Sequence, residues 1–174
     1  MNLGILAQRA GTSAKAEVYL LRAVELDRTF KPVWTLTNQY FQTGQFDKMW
    51  PRITQTLKIA DPGLEGLARF SAGPIFELCR RAGATSQQIL ALTPERPGLL
   101  RSLFFDSLER KDLDTALLVF PKALAVSDPS DTIQRNGFAF FCWGLLNTHR
   151  TRESLEVWNR PRPTTSRASA LASA

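Results

Sequence analysis

The chain of 174 residues is poor in the groups that perform chemistry. It holds a single histidine, His149, and two isolated cysteines, Cys79 and Cys142, with neither a CxxC pair nor the spacing of a disulfide framework. HExxH, GxSxG, the Walker glycine loop and GxGxxG are all missing. Zinc hydrolysis, serine-nucleophile chemistry and phosphate cradling therefore have no starting point in the sequence, and we expect no enzyme, no metal site and no cofactor. The isolated cysteines suit buried helix faces, which accommodate free thiols readily.

Long hydrophobic runs are lacking too. The longest, Phe138 to Leu146, is nine residues against the roughly twenty a membrane-crossing helix needs. No basic and apolar leader opens the chain, so as it stands it reads as cytoplasmic. It begins inside an apolar helical pattern, Leu3, Ile5 and Leu6, which suggests a fragment of a longer array. An upstream signal would make it envelope-associated.

Excess charge is also slight. Of the 22 basic residues, Arg160, Arg162 and Arg167 lie in a tail without acids, leaving 19 against 16 acidic residues, or +3 for the body. A balance that small describes a solvated surface better than a phosphate-binding groove. No stretch alternates polar and apolar residues long enough to make a strand.

What is present is helical periodicity. Between Phe30 and Pro62, Val33, Leu36, Tyr40 and Phe41 share one helix face. Gly44 can take the left-handed conformation of a helix stop, and Phe46, Met49, Trp50, Ile53 and Leu57 restart the period before Asp61-Pro62. The pattern recurs. Leu3, Gly11, Ala16, Leu20, Ala23, Val24 and Leu26 lie 33 residues before Leu36, Gly44, Met49, Ile53, Thr56, Leu57 and Ile59. Leu103, Leu113, Ala116, Phe120, Ala123, Leu124 and Val126 lie 67 residues after Leu36, Phe46, Met49, Ile53, Thr56, Leu57 and Ile59, which is two more periods.

Local signals mark the boundaries. Thr12 or Ser13 can cap the first helix, which Asp27-Arg28 ends. Pro51 and Pro121 fall inside helices and should kink them, and Pro74 should interrupt the stretch from Leu64 to Arg81, where Gly83 comes late for a standard turn. Thr85 and Gln88 fit a capping box. Thr93-Pro94-Glu95 should open the next helix, Asp112 should cap the one after, and Asp128-Pro129 should end it. Asp131 to Thr148 should form the last long helix and Thr151 should cap a short partner. From Arg160 onward only Leu171 is large and apolar, too little to offset the entropy of ordering.

Leu36, Tyr40, Gly44, Phe46, Ile53 and Asp61-Pro62 resemble one unit of the tetratricopeptide (TPR) family. Departures are Trp34, displaced by one position, Thr37 in place of glycine, and Met49 and Thr56 in place of alanine. These bulkier side chains should loosen the contact between the two helices. His149 sits where the repeat turn usually has glycine, as an exposed turn residue rather than a base. The resemblance implies an all-α fold, an α-solenoid of antiparallel helix hairpins wound as a right-handed superhelix. Four to five repeats, some degenerate, would span residues 1–160 as one domain, followed by a disordered tail at 161–174.

In that family the first helix of each unit lines the concave groove. By resemblance this selects Trp34, Asn38, Phe41 and Gln42, then Arg101, Phe105, Leu108 and Glu109, then Trp143, Leu146 and Asn147. Aromatic faces beside amides and an arginine suit a peptide, a partner helix or a sugar chain. The alternative for Phe41, Phe105 and Trp143 is packing between helices. A carboxylate clamp, which needs successive lysines and asparagines, could be matched by Asn38 alone.

The function expected from the resemblance is a non-enzymatic scaffold that binds a protein or peptide in its groove, with self-association through uncapped repeat ends. WTLTNQYF, IFELC and LEVWN are also similar to repeat regions of bacterial envelope proteins, some attached to polysaccharide machinery. The alternatives are an RNA-binding helical repeat, for which the charge is a poor match, and a truncated repeat fragment without independent function.

Overall fold

A computed structural model describes residues 13–60, 72–128 and 132–161, and every regular element among them is an α-helix. The chain forms two compact units, Met1–Pro94 and Glu95–Ala174. The first contains α1 (Ser13–Leu26), α2 (Phe30–Gln42), α3 (Phe46–Ile59), α4 (Gly73–Arg81) and α5 (Ser86–Leu92). The second contains α6 (Pro97–Glu109), α7 (Leu113–Ala125), α8 (Thr132–Asn147) and α9 (Thr151–Trp158).

Within the first unit, α2 packs against both α1 and α3, and α4 against α5. The apolar period drives this: Val33, Leu36 and Tyr40 on α2 and Met49, Ile53 and Leu57 on α3 are buried together with Ala16 and Leu20 of α1. Burying such stripes removes apolar surface from water at about 25 cal/mol per Å². A polar clamp ties the three helices at their edge. The Tyr40 hydroxyl donates to Glu17 Oε1 at 3.1 Å, and Lys48 Nζ donates to the same oxygen at 2.8 Å. Burial, and then the Glu17 charge, push the Tyr40 hydroxyl up to about 12, while the Lys48 hydrogen bond holds the Glu17 carboxyl below its ordinary range.

Thr37 and Thr56 do not hold α2 and α3 apart. Both are fully buried, and their hydroxyls meet at 3.3 Å between the helices. Each also bonds the carbonyl four residues back, Val33 O at 2.8 Å and Arg52 O at 2.7 Å. A threonine that returns its proton to its own helix can be buried without an orphan donor.

In the second unit, α6 and α7 pair, α8 and α9 pair, and α8 lies against both α6 and α7. Its core is aromatic. Phe104 of α6 and Phe120 of α7 face Phe138 and Phe141 of α8, with ring centres 5.1–5.8 Å apart. Most of these pairs are edge-to-face, the arrangement that ring quadrupoles favour. Gly137 lets α8 come close: a Cβ there would fall 2.5 Å from two ring carbons of Phe105. Arg150 braces the far end, bidentate on Glu153 and donating to Asp114 Oδ1 of α7 at 2.6 Å.

One turn recurs four times among the described residues. Gly44, Gly83, Lys111 and His149 all have left-handed φ values, +69°, +87°, +58° and +61°. In each case this residue bonds the carbonyl three back and the next residue bonds the carbonyl five back, as in Gln45 N to Tyr40 O, Ala84 N to Cys79 O, Asp112 N to Ser107 O and Arg150 N to Leu145 O. This is the Schellman helix stop. It closes α2, α4, α6 and α8.

Several boundaries follow the local signals and several do not. The Thr85–Gln88 capping box is complete, and Asp112 accepts from Thr115 N. Thr93 does not open a helix: its hydroxyl donates to Ile89 O at 2.8 Å, so it closes α5, and α6 begins at Pro97 behind Arg96. Thr151 is the first residue inside α9 rather than its cap, which is Arg150. Pro74 lies in the first turn of α4, where its missing N–H is harmless, and most of the stretch it was expected to interrupt, residues 61–71, lies outside the described residues. Gly83 makes a standard turn because α4 ends where it does. Helices α3 and α7 continue through Pro51 and Pro121. The Thr12 cap, the Asp61-Pro62 and Pro129 stops and the tail from Arg162 lie outside the described residues.

Candidate functional site

On α2 the candidate residues lie on a stripe away from the core face. Trp34, Asn38 and Phe41 follow one another at four- and three-residue spacing, so they form a row, and all three are half-buried. Phe30 stacks on Trp34 with ring centres 6.1 Å apart, and Asn38 Nδ2 donates to Trp34 O at 2.9 Å. An amide held by one N–H keeps its oxygen and second N–H for a ligand. Phe41 meets Phe46 edge-on at 6.1 Å. The Arg81 guanidinium, from α4, lies over the Phe41 ring at 5.0 Å, a cation–π contact that also places a positive charge at the end of the row. Gln42 is exposed beside it.

Arg81 is the residue that sequence reasoning missed. It comes from another helix, forty positions beyond Phe41, and no local spacing links the two. What could have pointed to it is only that two arginines, Arg80 and Arg81, occupy the last turn of their helix.

The positions selected in the second unit divide differently. Arg101 and Phe105 of α6 are half-buried, Leu108 is buried and Glu109 is exposed. The Phe105 ring lies between α6 and α8, against Gly137 and edge-on to Phe104 at 5.8 Å. Trp143, Leu146 and Asn147 of α8 are exposed, and the Trp143 ring lies tilted beside exposed Phe140, with ring centres 5.8 Å apart.

The first unit also has a cleft of about 510 Å³, bounded by Trp50, Ala82, Gly83, Ala84, Gln88, Ala91 and Leu92. It has no titratable lining residue, and Gln88 is committed to its capping box, so the cleft offers shape rather than chemistry.

Reactive groups are few. Burial pushes the Cys79 thiol up to about 11, which keeps it a thiol rather than a nucleophilic thiolate, and Cys142 is buried too. His149 is exposed on its left-handed turn. Among the described residues no group of three His, Cys, Asp or Glu side chains could hold a metal ion, and no helix is long and apolar enough to cross a membrane. Comparison with protein-family models gives no match, and comparison with curated proteins gives none either, so the functional reading rests on the residues themselves.

Proposed function

We propose that the chain is a non-enzymatic helical-repeat scaffold of the tetratricopeptide type that binds an extended peptide segment of a partner protein along α2. The observation that carries this is the row Trp34, Asn38 and Phe41 ending under Arg81. Its two aromatic residues offer apolar area at low entropic cost, the amide can pair with an extended backbone, and the guanidinium favours an acidic side chain.

Two features support the repeat architecture. The same Schellman stop closes four helices, and α8 packs on both members of the preceding pair, as stacked hairpins require.

The test places a photoreactive amino acid at position 38 and identifies the peptide cross-linked from a native lysate. Binding of that peptide is then measured for Trp34→Ala, Phe41→Ala and Arg81→Ala. Each should weaken it by about tenfold, the effect of losing about 1.4 kcal/mol. Unchanged affinity in all three variants removes α2 as the binding face.

A further inference from the structure

The spacing of the α2 row selects one backbone conformation for its ligand, an inference that rests on α2 being the binding face. From Trp34 to Phe41 the row climbs seven residues, about 10.5 Å along the helix axis at ~1.5 Å per residue. At one end Phe30 and Trp34 lie nearly parallel, with 24° between their planes, and make an aromatic ledge. At the other end the Arg81 guanidinium sits on the Phe41 ring, and Phe46 meets that ring edge-on. Arg81 is exposed and forms no ion pair among the described residues. Phe41 therefore holds a positive charge in place without neutralising it. Between the two ends, Asn38 keeps its oxygen and one N–H open.

Three regular ligand backbones can be laid along such a row. A helix bonds its own N–H and C=O groups and leaves Asn38 nothing to pair with. A β-strand turns every second side chain to the same side, at about 6.6 and 13 Å, and neither distance matches; its third residue, at about 10 Å, points away. In a polyproline II helix every third residue returns to the same side after about 9.3 Å, and no backbone group is bonded internally. This conformation brings side chains three apart to Trp34 and Arg81 within about 1 Å of the row's length, and it presents an unpaired backbone to Asn38. Proline pre-sets the backbone angle and docks on aromatic-lined grooves.

We infer that the α2 row binds a polyproline II segment in which a proline seated on the Phe30–Trp34 ledge is separated by two residues from an acidic side chain paired with Arg81. Charge complementarity selects the acid, because a basic residue in its place would face Arg81 as a like charge.

Fluorescence anisotropy of the full chain with labelled alanine-based peptides tests the inference. Each peptide carries one proline and one glutamate separated by one, two or three alanines, and the series is made in both chain orders. In the better order, the peptide with two alanines should bind at least about tenfold tighter than the other two. Arg81→Glu should reverse the charge preference, so that a lysine peptide of the same spacing replaces the glutamate peptide. Arg81→Gln, which should abolish the preference, is the second variant should Arg81→Glu lose helicity by circular dichroism. Equal affinity at all spacings, or tightest binding with one or three alanines, overturns the polyproline II inference, while loss of that binding in Trp34→Ala would still uphold α2 as the face. Binding untouched by Trp34→Ala removes both. If no peptide binds up to about 1 mM the inference fails, and α2 then stands or falls on the cross-linked native peptide.

Discussion

The left-handed residues Lys111 and His149 invite a stabilising substitution. A residue with a Cβ pays about 1–2 kcal/mol to sit in the left-handed region, and here φ is +58° and +61°. Glycine removes that strain but frees the unfolded chain, which costs about 0.4–1 kcal/mol. Both side chains are exposed, and neither takes part in a hydrogen bond or ion pair among the described residues, so nothing else is lost. Lys111→Gly and His149→Gly should each raise stability by about 0.5–1 kcal/mol. Combined in a chain of this size, they should raise the Tm by about 2–8 °C.

The reciprocal change isolates the same term. A Cβ added to Gly44 or Gly83 meets no atom within 4 Å, so Gly44→Ala and Gly83→Ala suffer only from backbone strain and should each lose about 0.5–1 kcal/mol. Thermal unfolding followed by circular dichroism at 222 nm reads all four variants. Should both glycine variants lower the Tm while both alanine variants leave it unchanged, the conformational argument is wrong, because sterics predicts opposite signs at the two kinds of position.

Three further outcomes follow from the packing. Gly137→Ala places a methyl 2.5 Å from the Phe105 ring and should cost about 1–3 kcal/mol by overpacking; most of that loss should disappear in a Phe105→Ala background, as read from a double-mutant cycle of thermal melts. Thr37→Val and Thr56→Val each delete a buried hydroxyl and should cost about 0.5–1.5 kcal/mol, with the pair less than additive because the two oxygens touch at 3.3 Å; strict additivity in urea denaturation would argue that they do not interact. Tyr40 titrates at about 12 in the folded chain, above the ordinary 10.0. The stability this confers is complete below the unfolded value and is lost as pH rises from about 10 towards 12. Urea midpoints should fall over that window in the parent and fall less in Tyr40→Phe, and identical pH profiles would exclude Tyr40 as the cause.

Features decided within one or two helical turns were legible in the sequence. The capping box at Thr85, the Asp112 cap, the stop at Gly44 and the buried stripe Val33–Leu36–Tyr40 depend only on spacing and on which side chains can satisfy nearby amides. Thr93 was misread for an equally local reason. Its hydroxyl could serve the helix behind it or the one ahead, and the carbonyl of Ile89 wins. Gly83 looked out of place only because the bounds of α4 could not be read from composition.

Sequence by itself therefore determined that the chain is helical, where most helices stop and which face of each is apolar, since those properties follow from backbone sterics and the 3.6-residue period. Tertiary structure alone decided which faces meet. It set Arg81 over Phe41, closed Thr37 on Thr56, packed Phe105 against Gly137 and left Trp143 exposed. Such pairings depend on distances between helices far apart in the chain, and an apolar side chain carries no mark of the neighbour that will cover it.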